Sequence, residues 1–462
     1  FLPLALLLYS ASPRALKHIM LTLVSYVFYG WWNPWFTLLM LGSTVIDYAC
    51  GKMITAEGAP HRQRKTGMIL SIVSNLSILA FFKYTAFLAG NVSVASEMLG
   101  MGAVALPDFF YNIVLPVGIS FYTFQSMSYS IDLYRGHAVP ARNFVDFACY
   151  VSMFPQLVAG PIVRYGSVAD QLRERPHTVE GFVAGFTRFN VGFAKKIILA
   201  NPMGAIADQC FGAGEGVLTT PMAWIGVMAY AFQIYYDFSA YSDMAIGLGR
   251  MFGFHFPENF DSPYQSKSIT EFWRRWHISL SSFLRDYLYI PLGGNRKGPA
   301  RTYINLLLVM LIGGLWHGAQ WTFVAWGAIH GGMLALERLM GKDSWYAKLP
   351  DPLRVAITFV IVLITWVFFR AENFEVATRY LAAMFGLGGD ADSSAILTGY
   401  LMRPANFLYL GLSAGICWFV PRSAELLEKV TPVKVIIALV LFVFSVALMY
   451  TQGFNPFLYF QF

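Results

Sequence analysis

The longest uncharged run of the chain carries two histidines. Residues 302–336 contain no Asp, Glu, Lys or Arg, yet they hold His317 and His330, and His317 lies within Gly313-Gly314-Leu315-Trp316-His317-Gly318. A neutral imidazole can take the proton of a hydroxyl nucleophile, and glycines beside it let backbone N–H groups approach a developing oxyanion. Proton abstraction from a hydroxyl is therefore the chemistry this segment offers. His330, in Trp326-Gly327-Ala328-Ile329-His330-Gly331-Gly332, reads first as a hydrogen bond between helices and second as another participant.

Residues 268–280 interleave aromatic and basic side chains. Ser268 and Glu271 form a capping-box pattern, and one helix through the whole stretch would line Trp273, Trp276, His277 and Leu280 on one face. Such a helix belongs at the cytoplasmic interface, where snorkelling explains Arg274 and Arg275 but not a histidine in the apolar stripe. Nearby, Arg285, Asp286, Arg296, Lys297 and Arg301 make an inner surface able to hold phosphates. A third cluster, Asp237-Phe238-Ser239-Ala240-Tyr241-Ser242-Asp243, puts two carboxylates at the inner end of an apolar run, as a functional group or as an ion-paired latch. No G-x-S-x-G elbow, Walker loop or H-E-x-x-H occurs, and the four cysteines lie far apart without a metal-ligand spacing, so no metal site is expected.

These groups must be positioned by a membrane. Only 13% of the 462 residues are charged while 56% are hydrophobic and 17% aromatic, which excludes a secreted module, a DNA-binding domain or a disordered scaffold. The net charge of +7 is what basic cytoplasmic loops alone would give. Uncharged or nearly uncharged runs at 19–46, 66–82, 109–131, 182–206, 216–236, 302–336, 355–369, 404–421 and 435–462 predict a polytopic all-α protein of about eleven or twelve spans. The chain reads as one integral-membrane domain over 1–462, and residues 1–9 as the end of a first span cut short rather than a signal peptide.

Basic loops set the orientation. Arg14 and Lys17 before the second span, and Arg62, Arg64 and Lys65 after the third, flank an uncharged turn at residues 30–34 and so face the cytoplasm. Continuing the alternation puts Arg135, Arg142 and the stretch 250–301 inside. Residues 147–163 break the pattern and read as re-entrant or interfacial. If the chain turns at His317, the first arm of run 302–336 is roughly 15 residues or ~22 Å, short of a hydrocarbon core of ~30 Å, so the turn would stop within the membrane beside a depression open to the outer face.

Residues 237–260, Pro263-Tyr264, the stretch 268–296 with its Phe-Trp-Arg-Arg-Trp-His-Ile-Ser-Leu-Ser and Arg-Asp-Tyr-Leu-Tyr-Ile-Pro-Leu-Gly-Gly-Asn-Arg runs, and 313–331 together resemble the membrane-bound O-acyltransferase superfamily, in its bacterial branch of alginate O-acetylation and teichoic acid D-alanyl transfer proteins. Ala240 stands where that branch would carry glycine. The resemblance centres on 233–331 and implies a ring of tilted helices with re-entrant or interfacial segments and opposed cytoplasmic and outer funnels. It implies a multi-pass enzyme of the bacterial inner membrane with no permanently bound cofactor. That enzyme takes acetyl from cytoplasmic acetyl-CoA for O-acetylation of an exopolysaccharide, alginate-like first and cellulose second, through a periplasmic acetyltransferase partner. His317 matches the family's proposed catalytic histidine and His277 its second one. Donor binding falls to Arg274, Arg275, Trp276, Arg285, Asp286, Asn295 and Arg296, with Asp237, Ser239, Asp243, Asn259, Trp316 and His330 in support. Direct transfer and an acetyl-histidine route both fit. The rival readings are a non-enzymatic polysaccharide export or channel subunit and an acyltransferase using long-chain donors on lipid or protein.

Overall fold

Prolines and small polar residues mark where the helices start. Pro34, Pro299, Pro404 and Pro432 each stand at the first turn of a helix, where the missing N–H has no intrahelical partner to lose. Asn33, ahead of Pro34, accepts the Trp35 N–H at 3.0 Å and so closes the turn predicted at residues 30–34. The computed structural model describes residues 1–102, 107–158, 160–341, 343–390 and 392–453. Among them there are helices and no strands. The chain folds as two compact units, Phe1–Gly185 with Leu248–Pro257, and Phe186–Gly247 with Glu258–Phe462.

The first unit holds α1 (Leu2–Ala11), α2 (Lys17–Gly30), α3 (Pro34–Thr55), α4 (His61–Met98), α5 (Ile119–Arg135), α6 (Phe144–Ser152) and α7 (Tyr165–Arg173). Every residue of α5 from Ile119 to Leu133 is buried, so this is the helix around which the unit packs. In the run at 109–131 a 3-10 turn, Asp108–Phe110, comes first and α-helix begins only at Ile119, after Gly118 takes a left-handed conformation at φ 74°. Stretch 147–163 forms no single span: α6 stops at Ser152, and a four-residue helix, Phe154–Leu157, follows.

The second unit contains α8 (Val179–Ala194) from Phe186 on, α9 (Asn201–Phe211), α10 (Thr220–Met251) as far as Gly247, α11 (Ile269–Arg275), α12 (Ile278–Leu284), α13 (Pro299–His317), α14 (Trp321–Met340), α15 (Asp351–Arg370), α16 (Phe374–Met384), α17 (Pro404–Phe419) and α18 (Pro432–Thr451). A π-helical turn, Lys195–Ala200, joins α8 to α9. Ala240 leaves α10 unbroken; the close approach is made instead by Gly192 of α8, where a Cβ would lie 2.7 Å from the Ala240 carbonyl.

Four described helices, α4, α13, α15 and α18, are long and apolar enough to cross a bilayer. The last residues of the run at 435–462 lie outside the described residues. The turn in run 302–336 forms at Gly318 to Gln320, directly after His317, as read from the sequence. The arm lengths differ from the expectation. α13 begins at Pro299 and has 19 residues, and α14 has 20. At ~1.5 Å per residue α13 is ~28 Å long, close to a full hydrocarbon thickness, so arm length no longer argues for a turn at mid-depth. The charge-free run understates the helix because proline initiates it ahead of the uncharged residues.

α13 and α14 pack as a hairpin on glycines. A Cβ at Gly314 would collide with the Phe323 carbonyl oxygen, and one at Gly327 with the Met310 carbonyl oxygen; at Gly331 it would lie 2.9 Å from Leu307 Cα. Without side chains at these positions the two backbones approach closely, which favours helix association in an apolar surround.

Candidate active site

α11 ends one residue before the aromatic–imidazole pair it carries. Ser268 Oγ accepts the Glu271 N–H at 3.0 Å, while Glu271 Oε2 accepts the Lys267 N–H at 2.9 Å, so the cap forms on its serine side and reaches one residue further back on the other. Trp276 is then extended, and His277 takes φ 43°, one of two non-glycine residues with positive φ among the described residues. The single helix expected over 268–280 therefore breaks between Arg275 and Ile278. The loop around Asn259 takes the backbone groups a continuous helix would have paired: the Ile278 N–H donates to Asn259 O at 2.9 Å, and the Asp261 N–H to Arg275 O at 2.9 Å. A left-handed non-glycine residue costs about 1 kcal/mol or more and persists only where its surroundings fix it.

Those surroundings also fix the imidazole. His277 has no solvent exposure, and its Nδ1 lies 3.1 Å from Asn259 Oδ1. That oxygen also accepts from the Ser279 N–H at 3.2 Å and Oγ at 2.9 Å, while Asn259 Nδ2 donates to Ser242 Oγ at 3.1 Å. The Ser279 N–H can only donate and so fixes Oδ1 as the acceptor; His277 therefore donates from Nδ1 and in its neutral form carries its lone pair on Nε2. Among the described residues Nε2 has no hydrogen-bond partner.

His317 closes α13, 6% exposed, with its ring centroid 6.5 Å from that of His277. Trp316, Trp326 and Phe369 stand 5.0, 5.3 and 5.2 Å from it, and Trp316 is also 6.1 Å from His277. Two imidazoles thus share an aromatic-walled interior, where charge interactions are far less screened than in water. His330 is bound on both sides: Nδ1 accepts from Trp273 Nε1 at 3.2 Å, so the proton is on Nε2, which faces Thr365 Oγ1 at 3.1 Å. It ties α14 to α11 and α15, as the inter-helix reading requires.

The acidic cluster on α10 is an ion-paired latch. The π turn after α8 aims consecutive lysines at carboxylates six residues apart: Lys195 Nζ reaches Asp243 at 2.7 Å and Lys196 Nζ reaches Asp237 at 2.6 Å. Arg188 bridges Asp243 and Glu258 at 2.8 and 2.5 Å, and Ser423 Oγ donates to Asp243 at 2.8 Å. Beyond α17, Arg422 adds an ion pair to Asp261 at 2.8 Å. A cavity of about 20 Å³, large enough for one water, is lined by Lys195, Ser239, Asp243, Asn259 and Arg422. It joins the latch to the amide that holds His277.

The candidates for donor binding divide. Trp276 is buried in the aromatic interior, stacked on Phe272 at 5.5 Å. Arg275 pairs with Glu271 at 2.7 Å and donates to Asp261 O at 3.2 Å. Arg285 and Asp286 pair with each other at 2.7 Å. Arg274, Arg285, Asn295 and Arg296 are exposed. Sequence reasoning missed Arg188, Lys195, Lys196 and Ser279. The first three interrupt the apolar run 182–206, and a charge in such a run asks for a buried partner, which was the available signal.

An all-helical polytopic membrane protein with a buried histidine pair at a helix turn is the class these features define. The chain belongs to the membrane-bound O-acyltransferase family, whose model matches residues 141–372. It is 44% identical over 482 aligned residues, spanning all of this chain and 98% of the relative, to a Pseudomonas putida protein named "Probable alginate O-acetylase AlgI". A Pseudomonas aeruginosa protein of the same name is 50% identical over 84% of this chain and 73% of its own. A Helicobacter pylori "Peptidoglycan O-acetyltransferase" is 37% identical over 82% of this chain and 76% of its own.

Proposed function

We propose that the protein is a membrane O-acetyltransferase of the inner membrane that draws acetyl from cytoplasmic acetyl-CoA for O-acetylation of an exopolysaccharide, alginate first, acting with a periplasmic acetyltransferase. We read both units as parts of one catalytic domain. The observation that carries this reading is the pair of buried imidazoles 6.5 Å apart in a chain of this family. His317 takes the proton of the acceptor hydroxyl as its oxygen bonds to the thioester carbonyl carbon. The tetrahedral oxyanion collapses, the C–S bond breaks, and the proton passes to the departing thiolate. His277, held through Nδ1 by Asn259, offers Nε2 to position or relay that proton. A general base supplies roughly 10²- to 10⁴-fold, so alignment and oxyanion stabilisation supply the rest. The exposed Arg274, Arg285 and Arg296 hold the donor's phosphates.

Purified protein in nanodiscs with radiolabelled acetyl-CoA tests the reading. Free CoA should appear together with label on a hydroxylated acceptor. Absence of CoA release would favour an exporter, and preference for longer donors a lipid- or protein-directed enzyme. A second measurement tests the brace. Asn259→Ala should lower turnover about tenfold or more in folded protein by freeing the His277 ring, and Asn259→Asp should restore most of it because its oxygen still accepts from Nδ1. Equal losses in both variants would make Asn259 merely structural.

A further inference from the structure

The first unit contains a cavity that the acyl-transfer chemistry does not use. It measures about 1050 Å³ and is lined by Arg14, Lys17, Arg142, Arg173 and Arg175, against Asp146 and Glu174 as the acids. Five cations face two carboxylates. Asp146 is already committed, to Arg142 at 3.0 Å and to His18 at 2.5 Å. Arg14, Lys17, Arg173 and Arg175 have no carboxylate partner among the described residues.

The floor of the cavity is built rather than a solvated loop. Arg175 donates to His18 Nε2 at 2.8 Å, to the buried Tyr9 hydroxyl at 2.6 Å and to Phe252 O at 3.0 Å, and it lies 4.0 Å over the Phe254 ring. Because a guanidinium only donates, His18 Nε2 must accept and its proton sits on Nδ1 toward Asp146. His177, in the loop at the rim, is pushed below the usual histidine pKa by burial and then by Lys17 and Arg175. The N-termini of α2 and α6, at Lys17 and Phe144, lie at this cavity and add their positive dipole ends.

We propose that this cavity binds the phosphate headgroup of an anionic phospholipid. Basic pockets among membrane helices take such headgroups. Continuity with an apolar track argues for a lipid over a soluble phosphate: Ile19 lines the cavity and begins a stripe with Leu23 and Val27 on α2, exposed by 41, 54 and 57% at four-residue spacing. A headgroup seated on Arg14, Lys17 and Arg173, above the Arg175 floor, lets its acyl chains run down that stripe.

The test uses the full chain in detergent, titrated with phosphatidylglycerol or phosphatidylcholine and read by native mass spectrometry. Phosphatidylglycerol should be retained at least about tenfold more tightly, an advantage lost in the triple variant Arg14→Gln/Lys17→Gln/Arg173→Gln. It should be kept when Arg62, Lys65 and Lys348, which lie elsewhere, are changed to Gln. Inorganic phosphate and CoA at millimolar concentration should not displace the lipid. Equal retention of the two lipids by the unaltered protein, which requires no variant to fold, overturns the proposal. So does unchanged preference in the triple variant, or displacement by phosphate or CoA, which would mark a site for soluble anions.

Discussion

His317→Ala should abolish acetyl transfer, lowering the rate at least about 100-fold and up to about 10,000-fold, while the protein remains folded in the membrane. The ring lies at the C-terminus of α13 against Trp316, Trp326 and Phe369. Alanine is an excellent helix residue, and His317→Gln, closer in volume, guards against effects of the space left behind. His330→Ala supplies the contrast. It strips a partner from Trp273 Nε1 and from Thr365, which costs about 1–3 kcal/mol for a buried group left unmatched, so thermal stability should fall more than turnover in the folded fraction. Acetyl release from labelled donor and thermal unfolding, measured on the same preparations, separate the two. Undiminished transfer by His317→Ala would remove this residue from the mechanism.

Gly327→Val should prevent assembly of the second unit. The added side chain would drive its Cβ into the Met310 carbonyl, which is backbone and cannot rotate away, so α13 and α14 must separate and carry His317 with them. Overpacking in a well-packed core costs about 1–3 kcal/mol, and a rigid backbone neighbour puts this site at the upper end or beyond. Gly332 is the control on the same helix: nothing lies within 4 Å of its Cβ position, and Gly332→Ala should be neutral or gain about 0.5–1 kcal/mol. Monodisperse elution and unfolding temperature report the outcome. A Gly327→Val protein as stable as the parent would show that the hairpin does not need this close approach.

The sequence was informative where one short segment contains its own instruction. Asn33-Pro34 announces a helix start, and Gly318 after His317 announces a turn; both occur where composition placed them. It misled where a partner distant along the chain decides the backbone. Helical periodicity through Trp276 and His277 is sound local reasoning, yet Asn259, eighteen residues earlier, supplies the carbonyl and amide oxygens that draw His277 out of the helix. Run length misled in a second way, since uncharged residues mark the apolar part of α13 and proline marks its true beginning. The latch was half legible: Asp237 and Asp243 stood out as acids in an apolar run, but the two lysines that meet them lie on a π turn, which no residue pattern announces.

The contacts of Arg422 and Ser423 have a bearing on how the enzyme can be studied. The family-matched stretch closes at residue 372, yet Asp243 and Asp261 draw two of their partners from some fifty positions further on. A minimal fragment trimmed to that stretch would take the Ser423 donor from the buried Asp243 and the Arg422 partner from Asp261. The segment after α17 is therefore part of the ion-pair network on α10, and dissection of this molecule is better done by point substitution than by shortening it.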